Sequence, residues 1–264
     1  MTHRIISLLT DFGSRDAFVG IMKGVVLGIN PTARLVDLSH EIPAQNILAG
    51  ALVLRSAFSF FPSDTIHVAI VDPGVGSTRR GILLETRHGY FVGPDNGLLS
   101  LAAPAETVVR TIYLANTEYF LSPCSSTFHG RDVFAPVAAH LSLGIAPEQF
   151  GPAVNTVERL TLPRIEREEK RLVGQVIYID HFGNLVTNIS ETDLLPFPRE
   201  KLYVSIGAVS ILGIVPSYAA VAVGSPAAVI NSWGLLEIAV RNGIAAQQLR
   251  ISPGCPVSIV PTQE

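Results

Sequence analysis

RIISLLTDFGSRDAFVGIMKGVVLGINPTARLVDLS, residues 4–39, is the stretch whose reading decides the fold. Residues 4–9 are almost continuously apolar and read as a strand buried on both faces. From residue 16 the period changes. Phe18, Ile21, Met22, Val25, Val26 and Ile29 recur at three- and four-residue spacing, which predicts a helix over 16–29. Asn30-Pro31 stops it, because proline disfavours helix at the residue before it. Residues 35–38 return to strand. Beyond them the same rhythm continues: a helix over 47–58, a third strand over 65–71, then a hairpin from 82–85 and 90–92. This order predicts an α/β N-terminal domain with a largely parallel sheet covered by helices. Ligand sites in such sheets lie beyond the carboxyl ends of the strands. Polar clusters follow the first and third strands at those ends.

The composition changes near residue 160. Residues 163–171 carry Arg164, Glu166, Arg167, Glu168, Glu169, Lys170 and Arg171, a mixed charge run typical of a solvated linker or an exposed edge. After it, strand signals dominate at 173–179, 202–206, 220–223 and 234–240. The expected organisation is an α/β domain over 1–160, a charged linker over 161–171, and a smaller C-terminal β domain over 172–264.

The balance of residue types excludes several classes. The 264 residues are 48% hydrophobic and 16% charged, too apolar for a disordered chain. A net charge of −3 offers no basic field for a nucleic-acid backbone. Two cysteines, Cys124 and Cys255, are too few for a disulfide scaffold. Residues 202–236 contain no charge, but serine, glycine and proline interrupt them, so buried strands joined by turns are expected rather than a membrane span. Residues 1–9 are too short an apolar stretch for a signal peptide, and the expected compartment is the cytoplasm.

Five clusters carry chemistry-bearing side chains. Thr10-Asp11-Phe12-Gly13-Ser14-Arg15-Asp16 follows the first strand; Asp11 suits a ribose diol and equally a helix N-cap. Residues 71–80, VDPGVGSTRR, hold Asp72 and Arg79, which could pair across a turn. That loop lacks the Gly-Lys-Ser/Thr ending of a phosphate-binding loop. Residues 125–132, SSTFHGRD, place His129 among small polar residues, where an imidazole titrates near neutrality. Residues 180–188, DHFGNLVTN, and Asn231-Ser232-Trp233-Gly234, followed by Glu237 and Arg241-Asn242-Gly243, have turn character and polar groups suited to small-molecule contacts. His40, His67, His88 and His181 form no metal spacing with His129, so no metal site is expected. No Gly-x-Ser-x-Gly elbow and no dinucleotide fingerprint occur.

Leu9-Thr10-Asp11-Phe12-Gly13, residues 36–42 (VDLSHEI), residues 71–76 (VDPGVG), Gly93-Pro94-Asp95-Asn96-Gly97, Phe128-His129-Gly130-Arg131-Asp132, Phe182-Gly183-Asn184 and Asn231-Ser232-Trp233-Gly234 occur in this order. Together they closely resemble the S-adenosyl-L-methionine (SAM) hydroxide adenosyltransferases, or SAM hydrolases, which are related to SAM-dependent fluorinases and chlorinases. The resemblance implies an N-terminal α/β domain and a C-terminal β-barrel-like domain. It also implies a homotrimer with SAM sites at subunit interfaces, and attack of water or hydroxide on the ribose C5′ to give adenosine and L-methionine. It places the catalytic Asp, Arg and His on Asp72, Arg79 and His129. The halogenases carry Tyr in place of that Asp and lack the His. The fluorinases' halide-contacting Ser matches Gly130, which argues against fluoride but not against chloride.

For the substrate, the resemblance implies Asp11 at the ribose hydroxyls, and Asp180 with Ser232 at the methionine amino end. Asn184 and the backbone near Asn242 fall at the adenine, with Phe182 and Tyr218 lining the base, and Phe128 is a further substrate-binding position. Trp233 stands where halogenases carry an Arg for the methionine carboxylate, and Arg241 is the candidate substitute. SAM brings its own activation, so no cofactor or metal is expected. The alternatives are a chlorinase-type halogenase and a non-catalytic SAM- or adenosine-binding module.

Overall fold

A computed structural model describes residues 4–262, which divide at Thr161/Leu162 into two compact units. In the first, β1 (Ile5–Thr10), α1 (Phe18–Ile29), β2 (Arg34–Ser39), α2 (Ile47–Ala57) and β3 (Thr65–Ile70) follow in the expected order. The hairpin β4 (Gly81–Thr86) and β5 (Gly89–Pro94), the short helix α3 (Leu98–Ala102), β6 (Val108–Tyr113) and α4 (Ala135–Ser142) complete it. The sheet order is β2-β1-β3-β5-β4-β6. The β2-β1-β3-β5 half is parallel, and β4 pairs antiparallel with β5 and β6.

Both faces are covered, which is why β1 and β3 are buried almost throughout and mostly apolar. On one face, Met22 and Val26 of α1 and the α4 residues Val137, Ala138 and Leu141 pack over Ile6, Leu8, Val68 and Ile70. On the other, α2 approaches so closely that a Cβ on Gly50 would lie 2.9 Å from Val71 and 3.3 Å from Leu98.

One polar pair sits within this apolar sheet. Ser7 on β1 is registered with His67 on β3, and Ser7 Oγ lies 2.7 Å from His67 Nδ1. The His67 ring stacks on Phe91 at 5.0 Å. Burial lowers its pKa from 6.5 to about 4. The unfolded chain therefore takes up this proton at higher pH than the folded one. Stability is full above pH 6.5 and falls as the pH drops toward 4, by roughly 3 kcal/mol for this group. Denaturant unfolding at pH 7.5 and 4.5 should show the loss, and His67→Gln should shrink it. An unchanged pH dependence in that variant would refute the assignment.

The second unit is an antiparallel sheet: β7 (Glu166–Glu168), β8 (Arg171–Ile179), β9 (Leu185–Ser190), β10 (Leu202–Ile206), β11 (Val209–Leu212), β12 (Pro226–Ile230), β13 (Leu235–Val240) and β14 (Pro256–Pro261). The order is β11-β10-β14-β8-β9-β13-β12, with β7 paired to β8. Val215 N donates to Ala228 O at 2.9 Å, linking the two ends of this order and nearly closing a barrel. Its interior is filled by Leu172, Val176, Leu185, Val204, Leu236, Ile238 and Ile259. The charged run forms the exposed β7–β8 hairpin.

Residues 220–223, expected as a strand, are not one. A 3₁₀ turn covers Tyr218–Ala220, and the strand begins at Pro226. The Arg241 guanidinium takes the carbonyls of Ala219 (3.2 Å) and Val221 (2.6 Å), which removes them from any ladder. The other pieces of the uncharged 202–236 stretch form β10, β11 and β12 and the beginning of β13. No helix among the described residues is long and apolar enough to cross a membrane.

Candidate active site

Asp72 stands just past the carboxyl end of β3, on a loop that turns back through Gly74 and Gly76 toward Arg79. Arg79 Nε donates to Asp72 Oδ1 at 2.9 Å, and its Nη2 bonds Oδ2. The same Nη2 lies 2.8 Å from His129 Nδ1. The pair is well covered, with side chains 11% (Arg79) and 5% (Asp72) exposed. Residues separated by fifty positions thus form one connected group, with the guanidinium in the middle.

Its electrostatics can be read from donor chemistry. A guanidinium has only N–H donors. His129 Nδ1 must therefore accept, and the neutral ring carries its proton on Nε2. Burial, then the Arg79 charge, lowers the His129 pKa below its usual 6.5, while Asp72 and Asp132 oppose the shift. The ring is neutral at pH 7.

His129 opens a π-helical turn, Gly130–Phe134, that leads into α4. Asp132 holds the approach to this turn: its Oδ2 accepts from Ser125 N at 2.8 Å, and its carboxylate takes a fork from Arg131. Asp72 and His129 line a cavity of about 150 Å³ walled by Phe12, Phe18 and Phe128. Those three rings meet pairwise at 5.3–5.8 Å. A Cβ on Gly130 would lie 3.2 Å from both Met22 and Phe128, so any side chain there crowds the cavity wall.

Asp11 lies on the loop after β1. It caps no helix: the N-cap of α1 is Ala17, without a side-chain hydrogen bond. Its Oδ2 accepts from Gln45 N at 2.7 Å. The loop is tied down by residues 37–41: Gly13 N donates to His40 O at 2.8 Å, and Thr10 Oγ1 meets His40 Nδ1 at 2.8 Å.

In the second unit, Asp180, Phe182, Asn184, Tyr218, Ser232, Arg241 and Asn242 all line one cavity of about 1220 Å³. The β8–β9 turn positions the first three. Asp180 accepts from Asn184 N (2.8 Å) and Asn184 Nδ2 (3.0 Å), so turn formation and site formation use the same atoms. Asn231–Gly234 is the β12–β13 turn, in which Asn231 Oδ1 accepts from Trp233 N and Leu235 N at 2.9 and 3.2 Å. Trp233 stacks obliquely on Tyr178 at 5.5 Å and joins the cavity wall. Arg241 braces the segment that carries Tyr218 through the two carbonyls already described.

Glu237, which the sequence places in the fifth cluster without a role, is 3% exposed and also lines this cavity. It accepts from Tyr218 Oη at 2.6 Å and Asn231 Nδ2 at 3.1 Å. Burial and this bond raise the Tyr218 pKa above its usual value. A charge in the middle of an otherwise apolar strand, Leu-Leu-Glu-Ile-Ala-Val, was the available signal. Among the described residues, no three His, Cys, Asp or Glu side chains are placed to hold a metal ion.

Each unit corresponds to one domain of a known family. The SAM hydroxide adenosyltransferase N-terminal domain matches residues 6–151, and the C-terminal domain of the same family matches residues 174–258. An (R)-S-adenosyl-L-methionine hydrolase of Salinispora tropica is 40% identical over 94% of this chain and 95% of its own length. A fluorinase of Actinoplanes sp. is more distant, 26% identical over 97% of both chains. The solved structure of a conserved protein from Thermotoga maritima superposes with a TM-score of 0.90 at 36% identity, covering 97% of this chain and 99% of the other. With both domains matched, and Asp72, Arg79 and His129 in contact within the first, this chain belongs to the SAM hydroxide adenosyltransferase family.

Proposed function

We propose that this protein hydrolyses S-adenosyl-L-methionine to adenosine and L-methionine. A water oxygen attacks ribose C5′, the C5′–S bond breaks, and its electron pair leaves on sulfur, turning the sulfonium into methionine's thioether. The water gives up one proton. The observation that carries this reading is the Asp72–Arg79–His129 group at the wall of a small aromatic cavity.

The roles within the group follow from its hydrogen bonds. His129 Nε2 carries a proton, so toward the cavity His129 is a donor that fixes the water's orientation. Asp72 retains lone pairs beyond those given to Arg79 and accepts the proton. Arg79 holds both partners in register and favours developing hydroxide. Holding water in line with the C5′–S bond recovers the orientation entropy that a bimolecular attack would cost. Asp11 takes the ribose hydroxyls, and the second-unit cavity takes the adenine and methionine ends.

The reading includes a homotrimer, with the first unit of one chain facing the second unit of the next. It is supported by the division of labour: the reacting group lies in one unit and the large binding cavity in the other. Light scattering that finds an active monomer would refute it. No metal or cofactor is needed, since a sulfonium is already an activated leaving group. We assign the enzyme to the cytoplasm, where an exposed free thiol such as Cys124 stays reduced.

Incubation with SAM, with and without chloride and a chelator, followed by chromatography, tests the assignment. Adenosine and methionine in all conditions are expected; 5′-chloro-5′-deoxyadenosine as main product would make it a halogenase, and binding without turnover a module. Asp11→Ala should raise the SAM Kd by tenfold or more, because charge-assisted hydrogen bonds are each worth about 1.5–3 kcal/mol. Calorimetry checks this, and an unchanged Kd would remove Asp11 from the ribose.

A further inference from the structure

Glu237 is the group that the catalytic account leaves unused. It sits on β13, where Leu236, Ile238 and Val240 point into the barrel core. Alternation along the strand turns Glu237, Ala239 and Arg241 the other way, toward the large cavity. Both carboxylate oxygens accept, one from Tyr218 Oη and one from Asn231 Nδ2, the arrangement of an ionised acid. Both donors are neutral. Among the described residues neither Glu237 nor Asp180, the other acid of this cavity, takes part in an ion pair. Arg241, the nearest cation along the strand, spends its Nη1 on backbone carbonyls.

A carboxylate at 3% exposure without a cation is costly, because two neutral hydrogen bonds do not replace its hydration. A cationic ligand would offset that cost. The position of Glu237 narrows which part of the ligand it serves. On one side it holds Tyr218. On the other it holds Asn231, which precedes Ser232, the residue assigned above to the methionine amino end.

We propose that Glu237 is a specificity-determining residue: its carboxylate is the countercharge for the cationic end of SAM, selecting the charged substrate over the uncharged nucleoside product. The proposal rests on the SAM reading above and extends it to a residue outside the assigned contacts. It also accounts for the release of adenosine. Bond cleavage removes the sulfonium and leaves adenosine with no positive charge for Glu237 to hold.

The test compares three ligands in wild type, Glu237→Gln and Glu237→Asp: SAM, S-adenosylhomocysteine, which keeps the ammonium but not the sulfonium, and adenosine, which has neither. KM for SAM and inhibition constants for the other two are measured. Glu237→Gln should raise the SAM KM at least tenfold and leave adenosine inhibition within twofold, which also shows that the variant is folded. Glu237→Asp should recover part of the SAM affinity. If S-adenosylhomocysteine weakens in step with SAM, the ammonium is the partner; if it does not, the sulfonium is. Equal weakening of adenosine and SAM, or no weakening of SAM, overturns the proposal. Should Glu237→Gln not fold, wild type itself decides: SAM binding no tighter than that of neutral 5′-methylthioadenosine overturns it, and binding at least tenfold tighter supports it. Failure of wild type to turn over SAM would refute the functional reading instead, and calorimetry with the same ligands would still test Glu237.

Discussion

Asp72→Asn is expected to lower kcat for SAM hydrolysis by about 10²–10⁴-fold, the range of a lost general base, with little change in SAM Kd. Asparagine keeps the shape and can still accept from Arg79 through its amide oxygen. It cannot take up a proton. His129 should behave differently, because Nδ1 is engaged by Arg79 and Nε2 carries its hydrogen. His129→Ala removes the donor and should cost about 10²-fold or more. His129→Gln, whose amide can donate, should recover part of that loss. Single-turnover kinetics on the three variants separates the roles. A His129→Gln variant as poor as His129→Ala, beside an active Asp72→Asn, would reverse the assignment of base and donor. The pH profile adds a check. Because burial and Arg79 lower the His129 pKa, the active neutral ring persists below pH 6.5, and the acidic limb of kcat should lie below that value.

Gly76→Ala should damage stability and catalysis together, because its added methyl falls between the two segments that carry the catalytic group. Gly76 has φ +78°, and a Cβ there would lie 2.4 Å from the Ser126 carbonyl oxygen. The left-handed backbone costs about 1–3 kcal/mol for a non-glycine residue. Relief of the collision requires the 71–80 loop to part from the 125–132 segment, and those two segments carry Asp72, Arg79 and His129. We expect a loss of about 3 kcal/mol or more in stability, with kcat falling further than the folded fraction explains. Gly144→Ala is the matched control: φ is +94° and nothing lies within 4 Å of the added Cβ. It should cost about 1 kcal/mol, at the low end of the same range, and leave kcat unchanged. Thermal melts and kcat on both variants decide the point. Equal behaviour would show that loop contact at Gly76 does not hold the site together.

The parallel half of the first sheet was legible because its signals are local. Residues 4–39 switch from continuous burial to helical period and back, and the observed β1, α1 and β2 fall within a residue or two of the expected spans. The second unit was less legible. Ala220-Val221-Ala222-Val223 has strand composition, but Arg241, twenty positions on, takes the Val221 carbonyl, and no local pattern reports that. Asp11 was open to two readings, because an Asp before a helix looks alike whether or not it caps. Its contact with Gln45 is a long-range fact. Asp72, Arg79 and His129 could be named from their motifs, yet the order of bonding among them, and with it the His129 tautomer, required the geometry. Glu237 was named in the sequence only as a polar neighbour of the Asn231–Gly234 turn. Its significance comes from its two neutral donors and the cavity it faces.

The most direct test of the central claim is the fate of the attacking oxygen. The purified enzyme is incubated with SAM in ¹⁸O-water containing chloride, and the products are analysed by mass spectrometry. Attack of water on C5′ predicts adenosine carrying one ¹⁸O at its 5′-hydroxyl and methionine free of label. Unlabelled adenosine, label in the amino-acid product, or a chlorinated nucleoside in place of adenosine would contradict the account.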